Sequence, residues 1–421
     1  MATSDESKKG NRQQAGAADG QGNDTNGEHG MDLTLPGTTG RYLVLMEEDK
    51  LEAGVKVLSD TAGLRVARSR DFGDSAVDAD TLANTEAIVF DDLAVAVVSA
   101  PPEQLAGVRA MRGEGSGILA VERERIVRAI QEPGEGGVAV VSLTNRMPTD
   151  YLTGYRDAVN SLVDRIVMPN GATHSAAARL AAEFDESLLT WGIRATRVAE
   201  SQYSGKGVRV AVLDTGFDFG HPDFEGRRIV DKSFILGQTA QDGYGHGTHC
   251  IGTALGPQQP GQLPRYGIAY EGEIYVGKVL SNEGSGADGG ILAGINWAVV
   301  NGCAIVSMSL GAAVQPGESF SRIYEALARR ALAAGTLIIA AAGNESGRPG
   351  VIAPVGHPAN CPSIMAVAAV DQNLNVAAFS SAGLNLQGGQ VDIAGPGVQV
   401  RSSWPRPTLY RTISGTSMAT P

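Results

Sequence analysis

Cysteine is scarce: Cys250, Cys303 and Cys361 are the only three in 421 residues. An odd, widely spaced set cannot pair off completely and lacks the spacing of a metal-binding knuckle, which argues against a disulfide framework. No run of about 18 consecutive apolar residues occurs, so no membrane span is expected. Positive charge is also short, with 34 Lys and Arg against 46 Asp and Glu, a net charge of -12 and a pI near 5.0. Nucleic acid and anionic membranes are therefore poor partners. The first 40 residues lack the apolar core of a secretory signal. As written the protein starts in the cytoplasm, and export would need an upstream start or an unconventional route. The same stretch, polar and without periodicity, predicts a disordered tail over residues 1–40.

Glycine, by contrast, is abundant, 55 residues in all without a fixed period, which implies many tight turns and close backbone approaches. Three glycine-bearing segments carry side chains of complementary chemistry. Val210-Ala211-Val212-Leu213-Asp214-Thr215-Gly216 is an apolar run ending in a carboxylate. Gly245-His246-Gly247-Thr248-His249-Cys250 supplies an imidazole, and Gly415-Thr416-Ser417-Met418-Ala419-Thr420-Pro421 a hydroxyl. A serine hydroxyl becomes a useful nucleophile when an imidazole takes its proton and a buried carboxylate holds that imidazole in the right tautomer. A fourth segment, Ala341-Ala342-Gly343-Asn344, lies between the last two.

The four motifs, in this order, resemble the subtilisin-like serine proteases, the subtilases. Carried over residue by residue, the resemblance makes Ser417 the nucleophile, His246 the general base and acid, Asp214 the orienting carboxylate and Asn344 a side-chain donor to the oxyanion. Taken alone, Asn344 also fits a turn after a strand. His249, three residues after His246, invites a metal reading with Asp214 or Cys250. Zinc proteases, however, place two His four apart around a Glu, and none lies between these two, so a packed core histidine is expected and no metal. Cys250 resembles the free cysteine found beneath the active site in one branch of the family; by default it is an inert small hydrophobe.

Gly284-Ser285-Gly286-Ala287-Asp288-Gly289 fits the dinucleotide fingerprint, but that pattern wants an acidic residue at the end of the next strand, where Ser307-Met308-Ser309-Leu310 stands. The resemblance implies another use: Gly284, Ser285 and Gly286 form an edge that pairs with a substrate backbone, while Ser309, Leu310, Gly311 and Ala312 line the pocket for the side chain before the cleaved bond, roomy enough for a sizeable apolar group. No cofactor is expected. Calcium is common in the family, but Pro257 to Leu263 lacks the Asn-rich pattern of its binding loop, and Asp223 is a candidate ligand whose ordinary reading is a turn carboxylate.

Along the chain, residues 41–128 alternate short apolar runs with helical stretches: strands at 42–45, 63–67, 87–90, 93–98 and 118–121, and helices at 50–58 and 102–111. This is roughly the ferredoxin-like β-α-β-β-α-β order. Before a subtilase domain it resembles the inhibitory propeptide, a partner in cis. Residues 129–187 form a linker that contains the processing site, with a strand at Val138–Leu143 and a helix at Ala176–Phe184. Residues 188–421 are expected to form a doubly wound, mostly parallel α/β domain. The chain stops four residues past Ser417, short of the family's long buried helix, which predicts that residues 1–421 expressed alone fold poorly and lack activity. The function expected is a serine endopeptidase made as a precursor and acting on proteins or peptides. A catalytically inactive peptide-binding homologue and a dinucleotide-dependent enzyme are the other classes.

Overall fold

Val210, Ala211, Val212 and Leu213 belong to a strand apolar on both faces, as a central parallel strand must be. The computed structural model of the protein describes residues 37–113, 115–130 and 186–421. Most of the expected tail, the strand at Val138–Leu143 and the helix at Ala176–Phe184 lie outside the described residues. The N-terminal part contains β1 (Thr38–Met46), α1 (Leu51–Lys56), β2 (Val66–Arg68), α2 (Ala79–Asn84), β3 (Ala87–Phe90), β4 (Val95–Val98), α3 (Pro102–Ala110) and β5 (Ile118–Ala129). Then follow α4 (Trp191–Ala195), β6 (Arg209–Asp214), β7 (Ile229–Ser233), α5 (His246–Leu255), β8 (Glu273–Lys278), β9 (Ser285–Ala287), α6 (Asp288–Val300), β10 (Ile305–Met308) and β11 (Leu310–Gly311). The chain ends with α7 (Arg322–Ala333), β12 (Leu337–Ala341), β13 (Met365–Val370), β14 (Ile393–Pro396), β15 (Val400–Ser403), β16 (Tyr410–Ile413) and α8 (Thr416–Ala419).

Among the described residues the large sheet runs β14-β13-β12-β10-β6-β8-β7, and every pairing is parallel. Strand periodicity splits β6 between two cores. Val210 and Val212 pack with Ile251 and Leu255 of α5, while Ala211 and Leu213 pack with Ile291, Leu292 and Ile295 of α6. Helices cover both faces, so this is a doubly wound α/β fold. It puts the ends of β6 and β10 and the starts of α5 and α6 along one rim, where such folds bind ligands. No helix among the described residues is long and apolar enough to cross a membrane.

The N-terminal sheet runs β5-β1-β4-β3-β2, antiparallel except for β2 against β3. Tyr42, Val44 and Met46 pack with Leu105 and Val108 of α3; Leu43 and Leu45 face the other way, into the core shared with α6 and α7. The sheet is therefore seated on those two helices. Two elements depart from expectation. A short α2 precedes β3, and the last strand, expected to end at Val121, continues to Ala129. Glu122-Arg123-Glu124-Arg125 reads as solvated sequence, yet Glu122 accepts from the Ser321 hydroxyl (2.6 Å) and Arg322 N–H (2.9 Å) at the start of α7. Glu124, fully buried, accepts from Gly289 N–H (2.8 Å) at the start of α6 and from both Nε and an Nη of Arg41. Each carboxylate meets unpaired first-turn N–H groups at the positive end of a helix, a contribution of up to about 2 kcal/mol where partly buried.

Candidate active site

Asp214 leaves the carboxyl end of β6 with no exposed surface. Its two carboxylate oxygens lie 2.8 and 3.0 Å from His246 Nδ1, and Oδ1 also accepts from Thr215 N–H at 2.7 Å. His246 opens α5. The residue before it, Gly245, has φ 109°, and a Cβ there would overlap the Trp404 ring, so glycine is required. Burial alone would lower the His246 pKa, but the adjoining Asp214 carboxylate overrides it and holds the imidazole well above 6.5. With Nδ1 held by the carboxylate, Nε2 is the nitrogen left to exchange a proton, and it has no hydrogen-bond partner among the described residues.

Ser417 is the second residue of α8. Its Oγ lies 3.2 Å from the carbonyl oxygen of Ile130 and 3.3 Å from that of Ser309. A hydroxyl has one proton to give, and carbonyls are its neighbours here; no serine–imidazole hydrogen bond is formed in this arrangement, since His246 Nε2 has no partner among the described residues. Cys250 Sγ sits 3.8 Å from His246 Nδ1 and 3.7 Å from the Ser417 carbonyl, tying the floor of the site together. The Ser309 hydroxyl donates to that same carbonyl at 2.9 Å. Asn344 Oδ1 accepts from Thr416 N–H and Thr416 Oγ1, both at 2.9 Å, which orients its amide beside the Gly415–Ser417 turn.

Sequence reasoning missed Asp242. It is buried, and Oδ1 accepts from Thr215 Oγ1 (3.0 Å), Tyr244 N–H (3.0 Å) and Gly245 N–H (2.8 Å). Oδ2 accepts from Thr248 N–H (2.9 Å) and Thr248 Oγ1 (2.7 Å). The carboxylate thus ties the loop after Asp214 to the start of the His246 helix. The available signal was an Asp shortly ahead of a helix start in a glycine-rich turn.

The segment Ile126–Ile130 lies between the two expected substrate edges. On one side Ile126, Val127 and Arg128 pair antiparallel with Ala287, Gly286 and Ser285 of β9, and Ala129 N–H donates to Gly284 O at 2.9 Å. On the other, Ala129 and Arg128 pair with Leu310 and Gly311 of β11, and Ile130 N–H meets Ser309 O at 3.3 Å. Ala312, which follows them, exchanges both backbone hydrogen bonds with His357, each 2.9 Å. The dinucleotide reading has no room: the edge of Ser285–Ala287 carries β5, and Glu124 occupies the first-turn N–H of Gly289.

The remaining candidates have other partners. His249 Nε2–H donates to Val400 O (3.1 Å), and burial, with His246 nearby, pushes its pKa down to about 3, so it is a neutral core imidazole. A compact set of potential ligand atoms does occur in Asp214, His246 and Cys250, without His249. The Asp223 carboxylate accepts from Tyr266 OH (2.6 Å), Tyr410 OH (3.0 Å) and Gly261 N–H (2.8 Å), donors on both oxygens.

Residues 205–421, just over half of the chain, match the Subtilase family of S8 peptidases. The chain belongs to the subtilase family. It is 39% identical over 231 residues to Subtilisin DY of Bacillus licheniformis, covering 54% of this chain and 78% of that protein. Subtilisin E of Bacillus subtilis (strain 168) is 39% identical over 231 residues, but the matched part spans only 56% of its length. Subtilisin Savinase of Lederbergia lenta is 39% identical over 237 residues, 55% of this chain and 80% of that protein. These subtilases are serine endopeptidases, and the doubly wound sheet described above is the fold that membership implies.

Proposed function

We propose that the protein is the precursor of a serine endopeptidase and that its own residues 126–130 occupy the cleft as a substrate would. In this reading residues 41–128 are a ferredoxin-like inhibitor domain with an added edge strand, acting in cis. The observation that carries it is the Ile130 carbonyl, 3.2 Å from Ser417 Oγ at the end of a strand hydrogen-bonded on both sides. The contact is oxygen to oxygen, and it sets the nucleophile's hydroxyl beside the last carbonyl of the bound segment.

Ser417 Oγ adds to the Ile130 carbonyl carbon as its proton passes to His246 Nε2, and Asp214 stabilises the imidazolium. The tetrahedral oxyanion takes hydrogen bonds from Asn344 Nδ2 and the Ser417 N–H. Collapse breaks the bond to Gln131, whose nitrogen receives the proton from His246. Water, deprotonated by the same imidazole, then hydrolyses the acyl-enzyme. The bond cut is Ile130–Gln131, at the head of the expected linker. Apolar Ile130 beside Gly311 also fits the expected preference of the pocket.

Intact-mass analysis of the gene product tests this. Wild type should yield a fragment ending at Ile130 and a fluorophosphonate adduct on Ser417, and Ser417→Ala should yield neither. Scission at Ile130 in Ser417→Ala would refute self-processing. Labelling failure in wild type would favour a peptide-binding protein without turnover.

A further inference from the structure

The strand in the cleft makes a polar contact well beyond the residues next to the cut. Counting back from Ile130, the sixth residue is Arg125, and its main-chain N–H donates to Asp288 Oδ2 at 2.8 Å. Asp288 is the first residue of α6 and has no exposed surface. Its other oxygen, Oδ1, is held by Tyr324 OH at 3.0 Å and by His357 Nε2 at 3.2 Å. Tyr324 and His357 are themselves buried, with rings edge to face at 4.6 Å. Burial and the neighbouring Asp288 raise the Tyr324 pKa well above 10, so the phenol remains a donor. One carboxylate oxygen is thereby fixed by two aligned side chains, and the second is presented to the peptide.

From these contacts we infer that Asp288, oriented by Tyr324 and His357, is an extended substrate-binding subsite that accepts the backbone N–H of the sixth residue before the cleaved bond. The inference rests on the endopeptidase reading and adds the substrate class: extended chains with at least six residues on the acyl side and a main-chain N–H at the sixth. Proline there has no N–H and is disfavoured. A buried carboxylate oxygen left without its donor is costly, so discrimination against a substrate lacking this one hydrogen should be about tenfold or more. Side-chain identity at that position matters little, because the contact is to the backbone.

The test uses the processed gene product and chromogenic substrates built on its own segment. Acetyl-Arg-Ile-Val-Arg-Ala-Ile-p-nitroanilide is compared with the analogue in which the α-hydroxy acid counterpart of the first arginine carries the acetyl group, so that an ester oxygen replaces the N–H. A four-residue substrate, acetyl-Val-Arg-Ala-Ile-p-nitroanilide, is the control. Wild type should show a kcat/KM about tenfold higher for the amide than for the ester. Asp288→Ala should lose that preference, read as the amide-to-ester ratio within the variant itself, and Asp288→Asn, which keeps an acceptor oxygen, should retain part of it. Equal kcat/KM for amide and ester in wild type overturns the subsite, and needs no variant to fold. So does an unchanged preference in Asp288→Ala. No turnover of the four-residue control by wild type overturns the endopeptidase reading itself, and the subsite with it.

Discussion

Asp242→Asn isolates the group that couples the loop carrying Asp214 to the helix carrying His246. The asparagine oxygen can replace Oδ1 and keep the bonds from Thr215 Oγ1, Tyr244 N–H and Gly245 N–H. The amide nitrogen then replaces Oδ2 and faces Thr248 N–H and Thr248 Oγ1, two donors until the hydroxyl rotates. At least one charge-assisted bond is lost outright and a buried N–H is left unpaired, for a total of about 2–4 kcal/mol. On a Ser417→Ala background, where self-cleavage cannot confuse the unfolding curve, the denaturant midpoint should fall by that amount divided by the slope. In the active background, kcat should drop about tenfold or more, because His246 follows the start of its helix and small misplacements of a reacting group are expensive. Thr215→Val supplies the second corner of a double-mutant cycle, and a coupling of about 0.5–3 kcal/mol with Asp242→Asn is expected for groups in one network. An Asp242→Asn protein within about 0.5 kcal/mol of its parent and unchanged in kcat would refute the argument that this carboxylate positions the imidazole.

Asn344→Ala should lower acylation of Ser417 about a hundredfold to a thousandfold with little change in KM, a magnitude established for an oxyanion donor in a subtilisin rather than worked out from this chain; steady-state kinetics on a peptide anilide would show it, and a change confined to KM would contradict the role. The raised His246 pKa sets the direction of the pH profile. The base works when neutral, so kcat/KM should climb as pH rises through an inflection above 6.5. Removing the strand from the cleft rewets the ring and relieves the burial that opposed Asp214, so the inflection in the processed enzyme should stay on that side; one below 6.5 would mean that Asp214 does not govern it. For stability the sign is the same as for any group raised in the folded state: the His246–Asp214 contribution is full below the unfolded pKa and is lost as pH rises through the folded value. Burial raises the Cys250 thiol pKa, so alkylating reagents should react slowly, whereas a mercurial that reaches the sulfur beneath His246 should inhibit. Cys250→Ala should remove that sensitivity, and an equally sensitive variant would sink the idea.

The rim of the large sheet was legible because its signals are local. A buried strand such as Val210–Leu213 announces itself by apolar β-branched residues, and the carboxylate, imidazole and hydroxyl each sit in a short glycine-bearing turn. What was illegible was interaction across long sequence distance. Asp242 looks like an ordinary turn residue until its partners Thr215 and Thr248 are seen together. The pairing of the Ala312 backbone with His357, 45 residues on, is of the same kind. Nothing local could have shown that Ser417 Oγ would be drawn to a carbonyl contributed by Ile130, far upstream.

The second half of β5 shows why patterning fails at such a junction. Periodicity assigns polar residues to solvent because unpaired charge is costly to bury, and Glu122-Arg123-Glu124-Arg125 therefore reads as the end of a strand. The cost disappears when the burial site is the start of a helix, where unpaired N–H groups and the positive end of the dipole want an acceptor. Glu122 and Glu124 each find one, at α7 and at α6. The polarity is reversed at Asp288, where a carboxylate on α6 accepts an N–H from β5. Donors and acceptors thus alternate across the contact, fixing the register of β5 before the cleft is reached. A slip by one residue would turn both glutamates away from the helices and move Ile130 off Ser417. The same charges that hide the strand from a pattern reading are the ones that aim its last carbonyl at the hydroxyl.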